Sequence, residues 1–306
     1  MITLSGGTGT PKLLHGIENI IPQKEIAVIV NTAEDLWVSG NLITPDIDTI
    51  LYMFSNKIDL KKWWGIKDDS FNTHNQLKSI ESNESMMIGD MDRATHIIRS
   101  DFIRNGDSLT IAIQKLSALF EIEANVMPMS DDPLATMITT EQEEMHFQDF
   151  WIKYKGKPNI INISIKGIEN ASISKNAIDA LKSNNNVLIG PSNPITSIGP
   201  IIELPKMRNI LKSKKVVAIS PIIGNKPISG PAAKLMQAKG FEVSSIGVAE
   251  YYKDFLDVFI IDKKDTVKLS DFKNIGCEVI RADTLMTNME KSTCLAKIAI
   301  DAFKNM

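Results

Sequence analysis

Two pairs of aspartates, each pair two residues apart at the start of a helical stretch, are the residues of this chain best placed to do chemistry. In Thr44-Pro45-Asp46-Ile47-Asp48-Thr49, Thr44 suits a helix cap and Pro45 suits the first turn. Asp46 and Asp48 then flank an apolar stripe of Ile47, Ile50, Leu51 and Phe54. One acid is enough to complement a helix dipole. Two also suit Mg²⁺, which takes one or two carboxylates together with substrate phosphates. The second pair lies in Gly89-Asp90-Met91-Asp92, where Asp90 is placed to cap. Asp92, Thr95, His96 and Arg99 share one helix face, because three- and four-residue spacings coincide there. Met91, Ala94, Ile98 and Phe102 form the stripe expected to be buried. His96 brings a group suited to proton transfer.

A third constellation is Gly6-Gly7-Thr8-Gly9 with Lys12, between the apolar run Ile2-Thr3-Leu4 and a helix that Pro11 helps to start. Glycines here permit a tight turn, and the exposed N–H groups and helix N-terminus form a phosphate site. Neither standard phosphate pattern fits. Lys12 stands where a dinucleotide loop has its third glycine, and no Gly-Lys-Ser/Thr follows.

The elements that must position these residues alternate along the chain. Lys24 to Val30 reads as a buried parallel strand ending in Asn31-Thr32-Ala33-Glu34-Asp35, where Glu34 or Asp35 is placed to hold a ribose hydroxyl. Asn186 to Ile189 leads into Gly190-Pro191-Ser192-Asn193-Pro194 and on to Ser197-Ile198-Gly199-Pro200. Asn193 and Ser197 suit hydrogen bonding to a base or ribose. Lys215 to Ile219 precedes Gly224-Asn225-Lys226 and Ser229-Gly230-Pro231, a further possible anion site ahead of a helix at 231–239. Strands are expected at 160–165 and near 243–247, 257–261 and 277–281, with helices at 108–123 and 174–183. Leu134–Thr140 and Met145–Tyr154 read as an antiparallel hairpin. The expected fold is α/β, a Rossmann-like parallel sheet flanked by helices. Residues 1–55 and 158–306 form its core, and 56–157 form an inserted helical and β-hairpin segment. Trp63 and Trp64 are adjacent and cannot share a helix face, so one is expected in the core and one against a flat ring or an interface.

Composition narrows the function classes. The 306 residues are 43% hydrophobic and 23% charged, as in an ordinary globular protein. A net charge of -3 argues against broad nucleic-acid binding. The two cysteines, Cys277 and Cys294, are too few for a disulfide framework or a cysteine metal site. No apolar run has the length of a membrane span, and no basic-then-apolar leader opens the chain. A cytoplasmic protein without membrane partners is expected.

Taken together, Gly6-Gly7-Thr8-Gly9 with Lys12-Leu13, Pro45-Asp46-x-Asp48-Thr49 and Gly89-Asp90-x-Asp92-x-Ala94-Thr95-His96 resemble the 2-phospho-L-lactate transferase family. Ser192-Asn193-Pro194, Ser197-Ile198-Gly199-Pro200, Ser220-Pro221 and Gly230-Pro231 extend the resemblance. It implies Mg²⁺-dependent transfer of a phospholactyl group from lactyl-diphospho-guanosine to the ribityl hydroxyl of a deazaflavin, with loss of GMP, during synthesis of the deazaflavin coenzyme (factor 420). Some relatives use an enolpyruvyl donor, and homodimers are usual. By the same resemblance Asp48, Asp90 and His96 are catalytic, and Asp48 and Asp90 hold the metal. Asp46, Asp48, Thr49, Asp90, Asp92 and Trp64 contact the deazaflavin. Gly6, Gly7, Thr8, Gly9 and Lys12 hold phosphate, and Ser192, Asn193, Ser197 and Gly199 hold guanosine. Two rival classes share parts of this pattern. A sugar-nucleotide-binding regulator of related fold needs no Gly-Asp-x-Asp-x-Ala-Thr-His element. A nicotinamide dehydrogenase is disfavoured by the missing third glycine.

Overall fold

The computed structural model describes residues 1–80, 84–224, 226–227 and 230–306; Asn225 and Ser229 of the expected anion loops lie outside them. The chain opens with β1 (Ile2–Ser5), α1 (Gly9–Ile17) and β2 (Ala27–Val30), then a small hairpin of β3 (Leu36–Val38) and β4 (Asn41–Ile43). Four helices follow: α2 (Pro45–Phe54), α3 (Asn72–Ile80), α4 (Asp90–Arg104) and α5 (Leu109–Leu119). Next come β5 (Asn125–Pro128), β6 (Ala135–Thr139), β7 (Glu144–His146) and β8 (Asn162–Lys166). The remainder alternates: α6 (Lys175–Ser183), β9 (Asn186–Ile189), α7 (Gly199–Glu203), α8 (Met207–Leu211) and β10 (Lys215–Ile219). A short pair, β11 (Ile222–Ile223) and β12 (Lys226–Pro227), precedes α9 (Ala232–Ala238) and α10 (Ser245–Tyr252). Last are β13 (Val258–Asp262), β14 (Glu278–Ala282) and α11 (Met289–Lys304).

Among the described residues, seven strands form one parallel sheet in the order β14-β13-β10-β9-β1-β2-β5. Strand residues alternate between two cores, as a period of two requires. Val28 and Leu188 face the side covered by α1, α2, α5 and α11. Ile29, Val187 and Ile189 face the side covered by α6 to α10 and the small sheet. Burial on both faces explains the unbroken apolar runs of β2 and β10. The carboxyl ends of β1, β2 and β9 meet at the centre, where parallel sheets place ligands.

Four elements differ from the sequence reading. β8 does not enter the parallel sheet; it pairs antiparallel with β6, so β7-β6-β8 make a separate three-stranded sheet. Its residues, Asn-Ile-Ser-Ile-Lys, alternate in polarity, the signature of a strand covered on one face. β5, assigned to the inserted segment, pairs with β2 at the edge of the main sheet. The stretch 56–157 therefore contributes to the core it was expected to interrupt. Residues 245–247 open α10 rather than continue a strand, because Ser244 accepts from the Gly247 N–H and caps that helix. The second half of the expected hairpin, Asp149–Lys153, winds into a π-turn.

Candidate active site

The strand-edge loops, α2, α4 and the turn that follows β7 enclose a cavity of about 550 Å³. On one wall is the glycine turn. Gly7 has φ +58°, a left-handed value open to glycine. A Cβ on Gly9 would lie 2.1 Å from the Pro191 carbonyl oxygen, so the turn and the 191–197 loop touch through bare backbone. Thr10 N–H donates to Ser192 Oγ at 3.0 Å, which locks the two loops together. Gly7, Thr8, Gly9 and Lys12 line the cavity, and burial lowers the pKa of Lys12.

Asp46 does something the sequence did not foretell. Its Oδ1 accepts the Gly7 N–H at 2.7 Å, and its Oδ2 accepts from Asn31 Nδ2 at 2.8 Å. The carboxylate thus holds the glycine turn in shape and uses one of the amides expected to face phosphate. Burial raises its pKa to about 6, against the pull of those two donors.

Asp48 faces the opposite wall. Arg99, with no exposure, forks onto both its oxygens and reaches back to the Leu42 carbonyl through Nη2 at 2.7 Å. His96 Nε2 lies 3.1 Å from Asp48 Oδ2 and 3.1 Å from Asp92 Oδ1. Tyr52 donates its hydroxyl to the same Asp92 oxygen at 2.6 Å. Burial alone would raise Asp48, but Arg99 and His96 outweigh it and hold the carboxyl at about 2. Burial likewise works against a charged His96, yet the two carboxylates raise its pKa. One Nε2 hydrogen cannot satisfy two carboxylates. A cation among Asp48, Asp92 and His96, whose donor atoms lie within 4.8 Å of one another, would do so. Two oxygen donors facing a cavity that the glycine turn and Lys12 also line fit Mg²⁺.

α4 carries this wall inside out. Arg93, Thr95, His96, Arg99 and Ser100 are buried, whereas Met91, Ala94 and Ile98 are exposed. Of the apolar stripe read as the buried face, only Phe102 packs on the core, and the other three residues point outward. The polar face is stable inside because each charge finds a partner: Arg93 bonds Glu84, as His74 does.

Other expected residues sort cleanly. Thr49, Trp64, Ser192, Asn193 and Ser197 line the cavity. Trp63 is partly buried, packed edge-on to His15 with Lys12 over its ring. Asp90 does not line the cavity. It accepts from Ser70 Oγ and the N–H groups of Asn72 and Thr73, capping α3. Those donors hold its pKa well below the carboxylate range. The expectation that Asp90 binds metal or the acceptor is corrected accordingly. Gly6 lies behind the loop against Ser197, and Gly199 lies inside the turn against Pro194 and Tyr251. Both shape the walls without lining them. Tyr52, Gln148, Trp151 and Thr284–Met286 line the cavity and carried no local signal in the sequence. Only their place in the fold reveals them.

Comparison with known proteins agrees with this architecture. A sequence model of the family described as 2-phospho-L-lactate transferase CofD matches residues 1–298. The chain is 60% identical over 303 residues to the 2-phospho-L-lactate transferase of Methanosarcina mazei, covering 99% of this chain and 100% of that one. It is 42% identical over 302 residues to that of Methanocaldococcus jannaschii, covering 97% and 96%. A crystal structure of a UPF0052-family protein from Bacillus halodurans superposes with a TM-score of 0.69 at 14% identity, covering 98% of each chain, a likeness of fold.

Proposed function

Because the chain belongs to the 2-phospho-L-lactate transferase family, we propose that it moves a phospholactyl group from lactyl-diphospho-guanosine to the terminal ribityl hydroxyl of a deazaflavin. The hydroxyl oxygen bonds to the phosphorus that carries the lactyl group, the bridging P–O bond breaks, and GMP leaves with the electron pair. The observation that carries this reading is the Asp48–His96–Asp92 cluster across one cavity from the glycine turn and Lys12.

Phosphoryl transfer of this kind is mostly positioning and charge stabilisation. Lys12 and the amides at the start of α1 hold the diphosphate. Asp48 is ionised and engaged by Arg99, which makes it a weak base and a fixed anchor. Asp92 Oδ2 accepts no hydrogen bond among the described residues, whereas Oδ1 is held by Tyr52 and His96. Asp92 therefore takes the role first given to Asp90: it orients the acceptor hydroxyl and receives its proton. Asp48 and Asp92 raise the pKa of His96, whose ring is held between them on the wall that faces the transferred phosphoryl group.

Among the described residues the cavity is lined by Glu34, Asp46, Asp48 and Asp92 against Lys12 and His96. An anionic diphosphate entering so acidic a space calls for a cation. Asp48 and Asp92 would hold Mg²⁺, which would supply charge neutralisation on the phosphate oxygens. Trp64, with Met86, Met87 and Ile88, offers an apolar wall to the deazaflavin ring, and the 192–197 loop offers polar groups to guanosine. Exposed Met91, Ile97 and Ile98 on α4 support a homodimer, to be checked by light scattering. Among the described residues no helix is long and apolar enough to cross a membrane.

The test is direct. Protein, deazaflavin, lactyl-diphospho-guanosine and Mg²⁺ are mixed, and mass spectrometry looks for GMP and phospholactyl-deazaflavin together. Absence of both, also with the enolpyruvyl donor, alongside retained sugar-nucleotide binding would favour the regulator instead.

A further inference from the structure

α4 begins without a cap of its own, because Gly89 before it has no side chain to accept an amide. The acceptors come instead from Asp69 and Ser70, in the loop ahead of α3. The Ser70 carbonyl accepts the Asp90 N–H at 2.8 Å. Asp69 accepts the next two: Oδ1 takes the Met91 N–H at 2.8 Å and Oδ2 takes the Asp92 N–H at 3.0 Å. Asp90 returns the grip by capping α3, so the two helix starts clasp each other through opposed carboxylates. Gly89 belongs to the same arrangement. A Cβ there would fall 2.0 Å from Asp69 Oδ2. The backbone at Gly89, with φ -73° and ψ 163°, is open to any residue, so it is the Asp69 carboxylate that demands the glycine. The loop is tied back to α2, the helix of Asp48: the Lys67 N–H donates to the Lys57 carbonyl, and the Lys57 N–H donates to the Tyr52 carbonyl, both at 2.8 Å.

We propose that Asp69 is a positioning residue for the transfer: by satisfying the first turn of α4 it leaves the Asp92 carboxylate free to face the acceptor hydroxyl. This rests on the proposed transferase reading and deepens it. Asp92 is the third residue of α4, a place from which an acidic side chain can turn back on the first-turn amides. Those amides carry the positive end of the helix dipole and stand unpaired in a helix without a cap. Asp90 is engaged on α3. Without Asp69, the carboxylate left to answer the amides is that of Asp92 itself. Turning back would take it from Tyr52 and His96, which hold its Oδ1 at the cavity. Asp69 thus acts on the chemistry without touching substrate, and it does so for one wall only. The glycine turn and Lys12 lie on the other wall and do not depend on it.

Turnover of deazaflavin and lactyl-diphospho-guanosine with Mg²⁺, GDP titration and the thermal midpoint are measured for wild type, Asp69→Ala, Asp69→Asn and Gly89→Ala. Asp69→Ala is repeated in an Asp92→Ala background. Asp69→Ala should lower kcat by about tenfold or more, with the donor KM and GDP affinity as in wild type. Asp69→Asn, which keeps one acceptor oxygen, should recover most of that loss. Gly89→Ala, which evicts the carboxylate, should match Asp69→Ala. These two variants reach the same loss by different routes, so if one fails to fold the other decides. In the Asp92→Ala background, where no side chain is left to turn back, Asp69→Ala should leave the residual kcat unchanged while the thermal midpoint falls as it does with Asp92 present. The same fold-loss of kcat in both backgrounds overturns the inference, since Asp69 would then only stabilise the fold. So does wild-type kcat in Asp69→Ala or Gly89→Ala. Either result alongside an active wild type sinks this inference alone; wild type without turnover sinks the transferase reading with it.

Discussion

At the scale of single residues, the site is a set of charges whose partners fix their states. Asp48 and Arg99 are buried together, so removing one strands the other. Asp48→Ala should cost about 3–5 kcal/mol in a urea unfolding curve, besides abolishing turnover. The pH dependence has a defined sign. Asp48 has a folded-state pKa of about 2, below its ordinary 3.8. Its contribution is therefore present above pH 3.8 and lost as pH falls through about 2. Unfolding of Asp48→Asn should show a flatter stability curve across that acid window. Glu34 goes the other way: burial first, then Asp46, raise its pKa, so its contribution fades as pH rises above the ordinary carboxylate range. Asp90→Ala should keep near-wild-type turnover and leave 70–80 more open to limited proteolysis, because Asp90 caps α3 outside the cavity. Loss of activity in that variant would return Asp90 to the site. The difference between Asp90 and Asp92 was not legible in the sequence. Both lie in one first turn, and about 200° of helix separates their directions.

At the scale of elements, the sequence was most informative where backbone geometry restricts residue type. The glycine turn, the ends of β1, β2, β9 and β10 and the helix start at Pro45 fell where the residues implied, whereas Asp90, expected as a cap, is the first residue of α4 behind Gly89 and caps α3 instead. Gly9→Ala should prove the tightest of these constraints. Its Cβ meets the Pro191 carbonyl, which is backbone and cannot swing away. A titration with GDP should show affinity falling about tenfold or more for Gly9→Ala, with the thermal midpoint measured alongside to show that the variant is folded. Polarity misled where it was assumed to point outward. The periodicity of α4 correctly grouped Asp92, Thr95, His96 and Arg99, but the rule that apolar faces go inside assigned the helix the wrong way round. Burial of Arg99 depends on Asp48, 51 positions earlier, and local pattern carries no such information. The same holds for β8, whose partner is β6 rather than the main sheet.

At the scale of the whole molecule, the cavity draws on segments far apart in the chain: the loops after β1 and β9, α2 and α4, the turn after β7 and Thr284–Met286. Chelation of divalent ions should stop turnover reversibly while the unfolding midpoint shifts little, since the parallel sheet and its two cores stand on apolar contacts. A large fall in the midpoint would mean that the ion is a structural keystone. The order of the sheet has a further consequence, for synthesis on the ribosome. β1 is central, between β2 and β9, yet β9 begins only at Asn186. A nascent chain must carry an apolar strand with one bare edge until more than half its length has emerged. The glycine turn that follows β1 then takes its final shape late, when the 191–197 loop arrives to lock it through Ser192. Translation speed through the intervening helices and small sheet thus becomes a determinant of yield, and chaperone demand should rise when it is slowed.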